Sequence, residues 1–256
     1  MKEDEMKIKD KKIFYINLDK HQERRQRIES FFEKHNFTDV TRISGVLDDN
    51  PIVGCAKAYL NVFEKAPDCD FIILEDDCVP TSFFDPEFDM KPLGQYDAVY
   101  LGASLFSRRV LYAEPRKIES EVLQSKIFSA NERTTAVYMS QGTPEYADSG
   151  YYLSFSDKRP DGTRKINNML STHAIYYSSK RFVDLIANEI DNTLMSPKPI
   201  HIDCLFAEQG QKRLDVSVLN EPLFFQSSSE NATNFSFDNY EEKLEYDLKS
   251  VFGDLL

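Results

Sequence analysis

The chain has 256 residues, a formal net charge of −12 and 41% hydrophobic residues, with 13 tyrosines and 19 phenylalanines. That length suffices for one large α/β domain, and the apolar and aromatic content excludes a disordered chain. The acidity excludes a general nucleic-acid binder, whose phosphate contacts need clustered Lys and Arg; an anionic ligand would require a divalent cation or helix N-termini.

The charged leader MKEDEMKIKDKK contains no apolar run. It therefore reads as neither a signal peptide nor a membrane anchor, and a cytoplasmic location is the expectation. Ile13 to Leu18 (IFYINL) is a short β-rich run, and the following HQERRQRIESFFEKHN carries Ile28, Phe31 and Phe32 at helical spacing. A second strand is expected from Val40 to Val46. The loop LDDNP then leads to the helical stretch GCAKAYLNVFEKA, with Ala56, Tyr59, Leu60 and Phe63 on one face. FIILEDDCVP, four apolar residues bounded by acids and a proline, reads as a strand buried on both faces. This β-α-β-α-β order predicts a Rossmann-related, mostly parallel central sheet flanked by helices, with ligands at the carboxyl ends of the strands.

Ala98 to Leu101 is a further strand, after which the pattern blurs between about Phe106 and Arg164 into expected loops and short strands over the site. HAIYYSS then reads as a strand, KRFVDLIANEI as a helix, IDCLFAEQGQK as a second helix and Val216 to Leu219 as a late strand. In the tail, Tyr240, Leu244, Leu248 and Val251 have the spacing of a docked C-terminal helix. No repeat or linker divides the chain, so residues 1–256 read as a single domain. The four cysteines, Cys55, Cys69, Cys78 and Cys204, form no CxxC pair and read as reduced thiols. The sequons at Asn36, Asn231 and Asn234 read as chance matches.

Chemistry concentrates at Glu75, Asp76 and Asp77, at the end of a buried strand. Three adjacent carboxylates repel one another, and acids are disfavoured in strands, so the run requires a compensating cation or donor hydrogens unless it simply exits into solvent. Alternation along the strand would place Glu75 and Asp77 on one side and Asp76 on the other, two carboxylates around one hard ion, Mg2+ or Mn2+. Such an ion suits a donor diphosphate and equally suits phosphoryl or nucleotidyl transfer.

With these pieces in place the chain resembles the family 25 glycosyltransferases, the lipooligosaccharide-biosynthesis type related to the collagen galactosyltransferases. FYINLDKHQERRQRI, RISGV, GCAKAY and FIILEDD follow the family's order over about the first 80 residues, and THAIYYSSKRFVDLI, PIHID and PLFFQSSS are similar to its second half. The resemblance implies a GT-A-like fold, a nucleotide-sugar donor, a divalent metal and an inverting displacement. It implies further that Asn17 and Leu18 border the nucleotide, that Arg24 lies near the donor end of the pocket, and that Glu75 and Asp77 form the metal motif. One departure stands out: the family often has Ser-His where this chain has Ala58 and Tyr59, so Tyr59 marks altered specificity or different packing.

An inverting transfer needs a carboxylate to deprotonate the acceptor hydroxyl, and Asp203, at the start of an expected helix, is the candidate; an N-cap role would explain it equally. His201 is a candidate third metal ligand, acceptor contact or strand-end residue, and His173 reads as a core residue. Asp148 and Asp161 are alternative bases. Arg108 and Arg109 follow a strand end and either neutralise phosphate or sit in solvent. Gln226 and Ser227 to Ser229 match a late segment of the family that touches the diphosphate, or form a polar loop. Arg24, Arg25 and Arg27 read as a solvent-facing stripe from which one member could turn inward. The resulting expectation is a metal-assisted transfer of a hexose, from a UDP-sugar by preference, to a hydroxyl of a glycan or other acceptor. The alternatives are a metal-dependent nucleotidyl or phosphoryl transferase and a non-catalytic nucleotide- or glycan-binding relative.

Overall fold

A computed structural model describes residues 6–103, 134–138 and 153–227. The chain opens with β1 (Lys12–Asn17), α1 (Gln22–Lys34), β2 (Val40–Ser44), α2 (Pro51–Phe63) and β3 (Phe71–Glu75). β1 lies parallel to both β2 and β3, with Ile13 opposite Val40 on one side and Ile72 on the other. The expected alternation is therefore present, and β3 explains why it holds. Its apolar run alternates: Phe71 and Ile73 pack with Tyr59 and Val62 of α2, while Ile72 and Leu74 pack with Ile28 and Phe32 of α1. Covering both faces of such a strand contributes about 1.5–3 kcal/mol per large side chain.

Helix α2 begins three residues before the expected Gly54. Asn50 accepts a hydrogen bond from the Ile52 N–H at 3.0 Å and Pro51 occupies the first turn, so Asn-Pro is a helix start and not the end of a loop. FIILEDDCVP is likewise not one strand. β3 ends at Glu75, Asp76 and Asp77 form a turn, and β4 (Cys78–Pro80) pairs with β11 (Phe224–Gln226) in a separate two-stranded sheet.

The remaining elements are β5 (Ala98–Tyr100), β6 (Thr134–Tyr138), β7 (Leu153–Ser156), β8 (Thr163–Asn167), β9 (Ala174–Tyr177), α3 (Lys180–Leu194), α4 (Ile202–Leu205) and β10 (Val216–Leu219). Among the described residues the main sheet has nine strands in the order β2-β1-β3-β9-β5-β10-β8-β7-β6. Here the expectation of a mostly parallel sheet is corrected, because the sheet is mixed. Only β2–β1, β1–β3 and β5–β10 are parallel, and β9 lies antiparallel between β3 and β5. Connectivity accounts for the antiparallel β7–β8 pair: a parallel neighbour requires a long crossover, usually helical, and only residues 157–162 separate these two strands.

The expected helix IDCLFAEQGQK is a short α-helical turn, α4, running into π-helical turns over Phe206–Gln211. Gln211 uses this geometry to accept from the Met169 N–H at 2.9 Å and to donate to the Met169 carbonyl and the Tyr100 hydroxyl. Among the described residues no helix is long and apolar enough to cross a membrane. Arg108, Arg109, Asp148, Ser228, Ser229, Asn231, Asn234 and the expected C-terminal helix lie outside the described residues.

Candidate functional site

A cleft of about 760 Å3 opens where β1, β2 and β3 end, at the carboxyl edge of the parallel unit. Leu18 and Arg24 form one wall, the segment after β2 and the first three turns of α2 form the other, and Glu75, Asp76 and Asp77 lie between them. Gly54 sets the width of this wall: a Cβ there would stand 2.4 Å from the Val46 carbonyl oxygen, so only glycine lets α2 approach that loop so closely.

The three acids have three different environments. Asp76 is neutralised. Arg24 Nη1 donates to its Oδ1 at 2.9 Å and Asn17 Nδ2 to its Oδ2 at 2.6 Å. Asn17 is itself held by Arg42, whose Nε donates to Asn17 Oδ1 at 3.2 Å. Asn17 thus sits beneath the acid turn, supporting Asp76, and does not line the cleft as the border of a nucleotide.

Asp77 is half satisfied. Gln226 Nε2 donates to its Oδ2 at 3.2 Å and Arg24 Nη1 stands 3.7 Å from the same oxygen, while Oδ1 is buried and has no hydrogen-bond partner among the described residues. Burial pushes the Asp77 carboxyl above the usual carboxylate range and the Asp76 charge adds to this, against the opposing pull of Arg24. Gln226 therefore acts on Asp77 from β11, and the adjacent Ser227 N–H donates to the Asp77 carbonyl at 2.9 Å.

Glu75 has both hydrogen bonds on one oxygen. Tyr59 Oη lies 2.9 Å and Thr172 Oγ1 2.7 Å from Oε1, and no described residue donates to Oε2. Burial pushes this carboxyl up to about 7, and the nearby Asp77 charge adds to the effect. Tyr59 Oη also lies 3.0 Å from the Thr172 carbonyl oxygen, and with a single proton it serves Glu75 or that carbonyl, one at a time.

Asp203 does not line the cleft, but its negative charge raises the Glu75 and Cys55 carboxyl and thiol, which places it near the acid cluster. The N-cap of α4 is His201, so Asp203 lies inside the first turn, where its Oδ1 accepts from the Cys204 N–H at 3.0 Å. The capping explanation for Asp203 is therefore corrected. Burial raises its carboxyl, opposed by His201. His201 is exposed, and among the described residues no three His, Cys, Asp or Glu side chains are grouped to hold a metal ion. Glu75, Asp77 and His201 are thus not a closed ligand set.

The arginine stripe of α1 is as expected: Arg25, paired with Glu29, and Arg27 stay exposed, Arg27 reaching Ser227 Oγ at 3.1 Å, while Arg24 alone of the three turns inward. Asp161 is occupied as a turn anchor by Tyr96 Oη at 2.5 Å and Thr163 Oγ1 at 2.8 Å. His173 is a core residue with Ser171 Oγ 2.5 Å from its Nδ1, and burial lowers it to about 4. Thr172 is the site residue that the sequence reading passed over. Its signal lay in strand register: Ala174 pairs with Leu74, which brings the residues preceding β9 alongside Glu75. Comparison with protein-family models gives no match, and comparison with curated proteins gives none either.

Proposed function

We propose that this chain is a GT-A-like glycosyltransferase of the family 25 type, moving a hexose from a nucleoside diphosphate sugar, a UDP-sugar by preference, to a hydroxyl of a glycan or other acceptor. One observation carries the reading. Glu75 Oε2 and Asp77 Oδ1 are carboxylate oxygens without donors among the described residues, in a cleft of nucleotide size at the carboxyl edge of a parallel unit. Asp77 Oδ1 is buried, and a buried acceptor with no donor costs about 1–3 kcal/mol, a penalty that a cation removes.

These residues fit Mg2+ or Mn2+ held by two carboxylates, with water and donor phosphate completing its shell, which is how a partly hydrated hard ion is commonly bound. When bound, such an ion supplies positive charge for the departing diphosphate. Arg24 stands in the wall beside the two carboxylates, and the capped N-terminus of α2 directs its positive dipole end at the cleft. An inverting transfer also needs a carboxylate to take the acceptor's proton; Asp203, its carboxyl raised by burial, is the candidate, and because it lies outside the cleft lining the acceptor must enter from beside the cleft to reach it.

Calorimetry with UDP, UDP-galactose, UDP-glucose and GDP-mannose, with and without Mn2+, tests this on wild type and Asp77→Ala. Manganese-dependent binding of one donor, lost in the variant, is the expected result. Binding indifferent to both the metal and Asp77, or no binding at all, overturns the reading. Release of free nucleoside diphosphate, and not pyrophosphate, separates sugar transfer from nucleotidyl transfer.

A further inference from the structure

The two hydroxyls on Glu75 Oε1 belong to residues that share no element with it. Tyr59 comes from the third turn of α2 and Thr172 from the segment entering β9, and both reach the end of β3. Tyr59 is 1% exposed, its ring packs against Phe63 and Phe206, and burial holds its hydroxyl well above the usual phenol range, so it stays a neutral donor. A hydroxyl anchored by an immobile ring is a fixed point, and both fixed points select the same oxygen.

We propose that Tyr59, with Thr172, is a positioning residue that commits Glu75 Oε1 to the protein and leaves only Oε2 for a divalent cation, so that Glu75 binds through one oxygen. This rests on the metal-site reading above. Fixing the carboxylate has two consequences. The Thr172 hydroxyl, joined by Tyr59 when its proton points at Glu75 and not at the Thr172 carbonyl, disfavours a bidentate grip, which keeps one coordination position open for a phosphate oxygen, and the pair spares the cation the entropy of ordering a free glutamate.

The test uses the full chain and MnCl2 alone, followed by calorimetry and by Mn2+ electron paramagnetic resonance. Tyr59→Phe and Thr172→Val, each removing one hydroxyl at nearly constant volume, should each weaken Mn2+ binding about 10- to 100-fold, the range for losing a hydrogen bond behind a metal ligand. Tyr96→Phe, the same deletion away from the cleft, should leave Mn2+ binding unchanged. The infrared difference spectrum between Mn2+-bound and free protein supplies a readout that a loss of packing does not move. Wild type should show a carboxylate band pair of one-oxygen spacing, absent in Glu75→Gln and shifted toward two-oxygen spacing in Tyr59→Phe. Unchanged affinity and an unchanged band pair in either hydroxyl variant overturn the proposal while leaving the metal site standing, and Thr172→Val carries the test should Tyr59→Phe not fold. A wild-type chain that binds no Mn2+ removes the metal-site reading and this proposal with it.

Discussion

Asn17 donates to Asp76 at 2.6 Å across the parallel strands β1 and β3, and the same asparagine accepts from Arg42 at 3.2 Å on β2. Three strand ends are thereby tied to one carboxylate. Asp76 is the electrostatic foundation of the acid turn, since Arg24 and Asn17 occupy both its oxygens before any ligand arrives.

Asp76→Asn should therefore act on stability. It removes the partner of a guanidinium whose side chain is only 18% exposed, and that loss should cost about 2 kcal/mol, discounted from the value for a fully buried pair. Asn17→Ala should cost about 1 kcal/mol by removing one charge-assisted bond. Urea denaturation of both variants and of the double variant checks this. Because the residues touch, the double variant should lose less than the two single losses combined, and strict additivity would contradict a shared network.

Asp77→Asn should do the opposite in the absence of divalent cations. The wild-type side chain holds a charge in a buried place with one oxygen unpartnered, and a neutral amide relieves that desolvation. A gain of about 1 kcal/mol in stability, together with loss of Mn2+-dependent nucleotide binding, is the expected pairing. If Asp77→Asn is destabilised without metal, the carboxylate has a structural partner and the site reading weakens.

Much of this arrangement was legible in the sequence, and the reasons are local. The β-α-β-α-β order followed from periodicity in IFYINL, the arginine-rich helix and FIIL, and the acid run announced itself by placing three carboxylates where a buried strand ends. The division of labour among those acids was not legible, because it depends on partners far away in the chain: Asn17 lies 59 residues from Asp76, Thr172 lies 97 from Glu75 and Gln226 lies 149 from Asp77. Strand alternation, which would put Glu75 and Asp77 on one side and Asp76 on the other, does not extend past Glu75, because Asp76 and Asp77 form a turn in which Arg24 stands near both. The mixed sheet was hidden for a related reason, since AIYY reads the same whether its neighbours run parallel or antiparallel.

Gly102 and His173 form a close pair beneath the site. A Cβ on Gly102 would stand 2.0 Å from His173 Nε2, and both residues are buried. Gly102→Ala should cost about 2–3 kcal/mol by overpacking, because the obstructing atom is part of a rigid ring held at its Nδ1 by Ser171. His173→Ala alone should cost a comparable amount through a cavity. In the double variant the new methyl occupies space the ring has left, so the combined loss should be smaller than the sum by about 1 kcal/mol or more. Equal single and summed losses in thermal or urea unfolding would show that the backbone moves aside instead.

A final prediction concerns acid stability far from the cleft. Asp97 is 8% exposed at its side chain and accepts from Ser179 Oγ at 2.8 Å, Arg181 Nε at 3.1 Å and the Asp215 N–H at 2.9 Å. Burial pushes this carboxyl up, but the Arg181 guanidinium, the Asp215 N–H and the Ser179 hydroxyl together outweigh it and hold the group below its ordinary value of 3.8. Near and below that value the unfolded chain binds the proton more readily than the folded one. The contribution of Asp97 to stability is thus complete above the ordinary carboxylate range and is lost as pH falls through the folded-state value. Arg181 is 69% exposed, so solvent screens the pair and the contribution should be about 1 kcal/mol. Asp97→Asn should accordingly be less stable than wild type by about that amount at pH 7, with the gap closing below about pH 4. Urea midpoints measured for both proteins from pH 7 to pH 3 decide the matter, since a gap that stays constant over this range would mean that Asp97 contributes by shape and hydrogen bonding and not by charge.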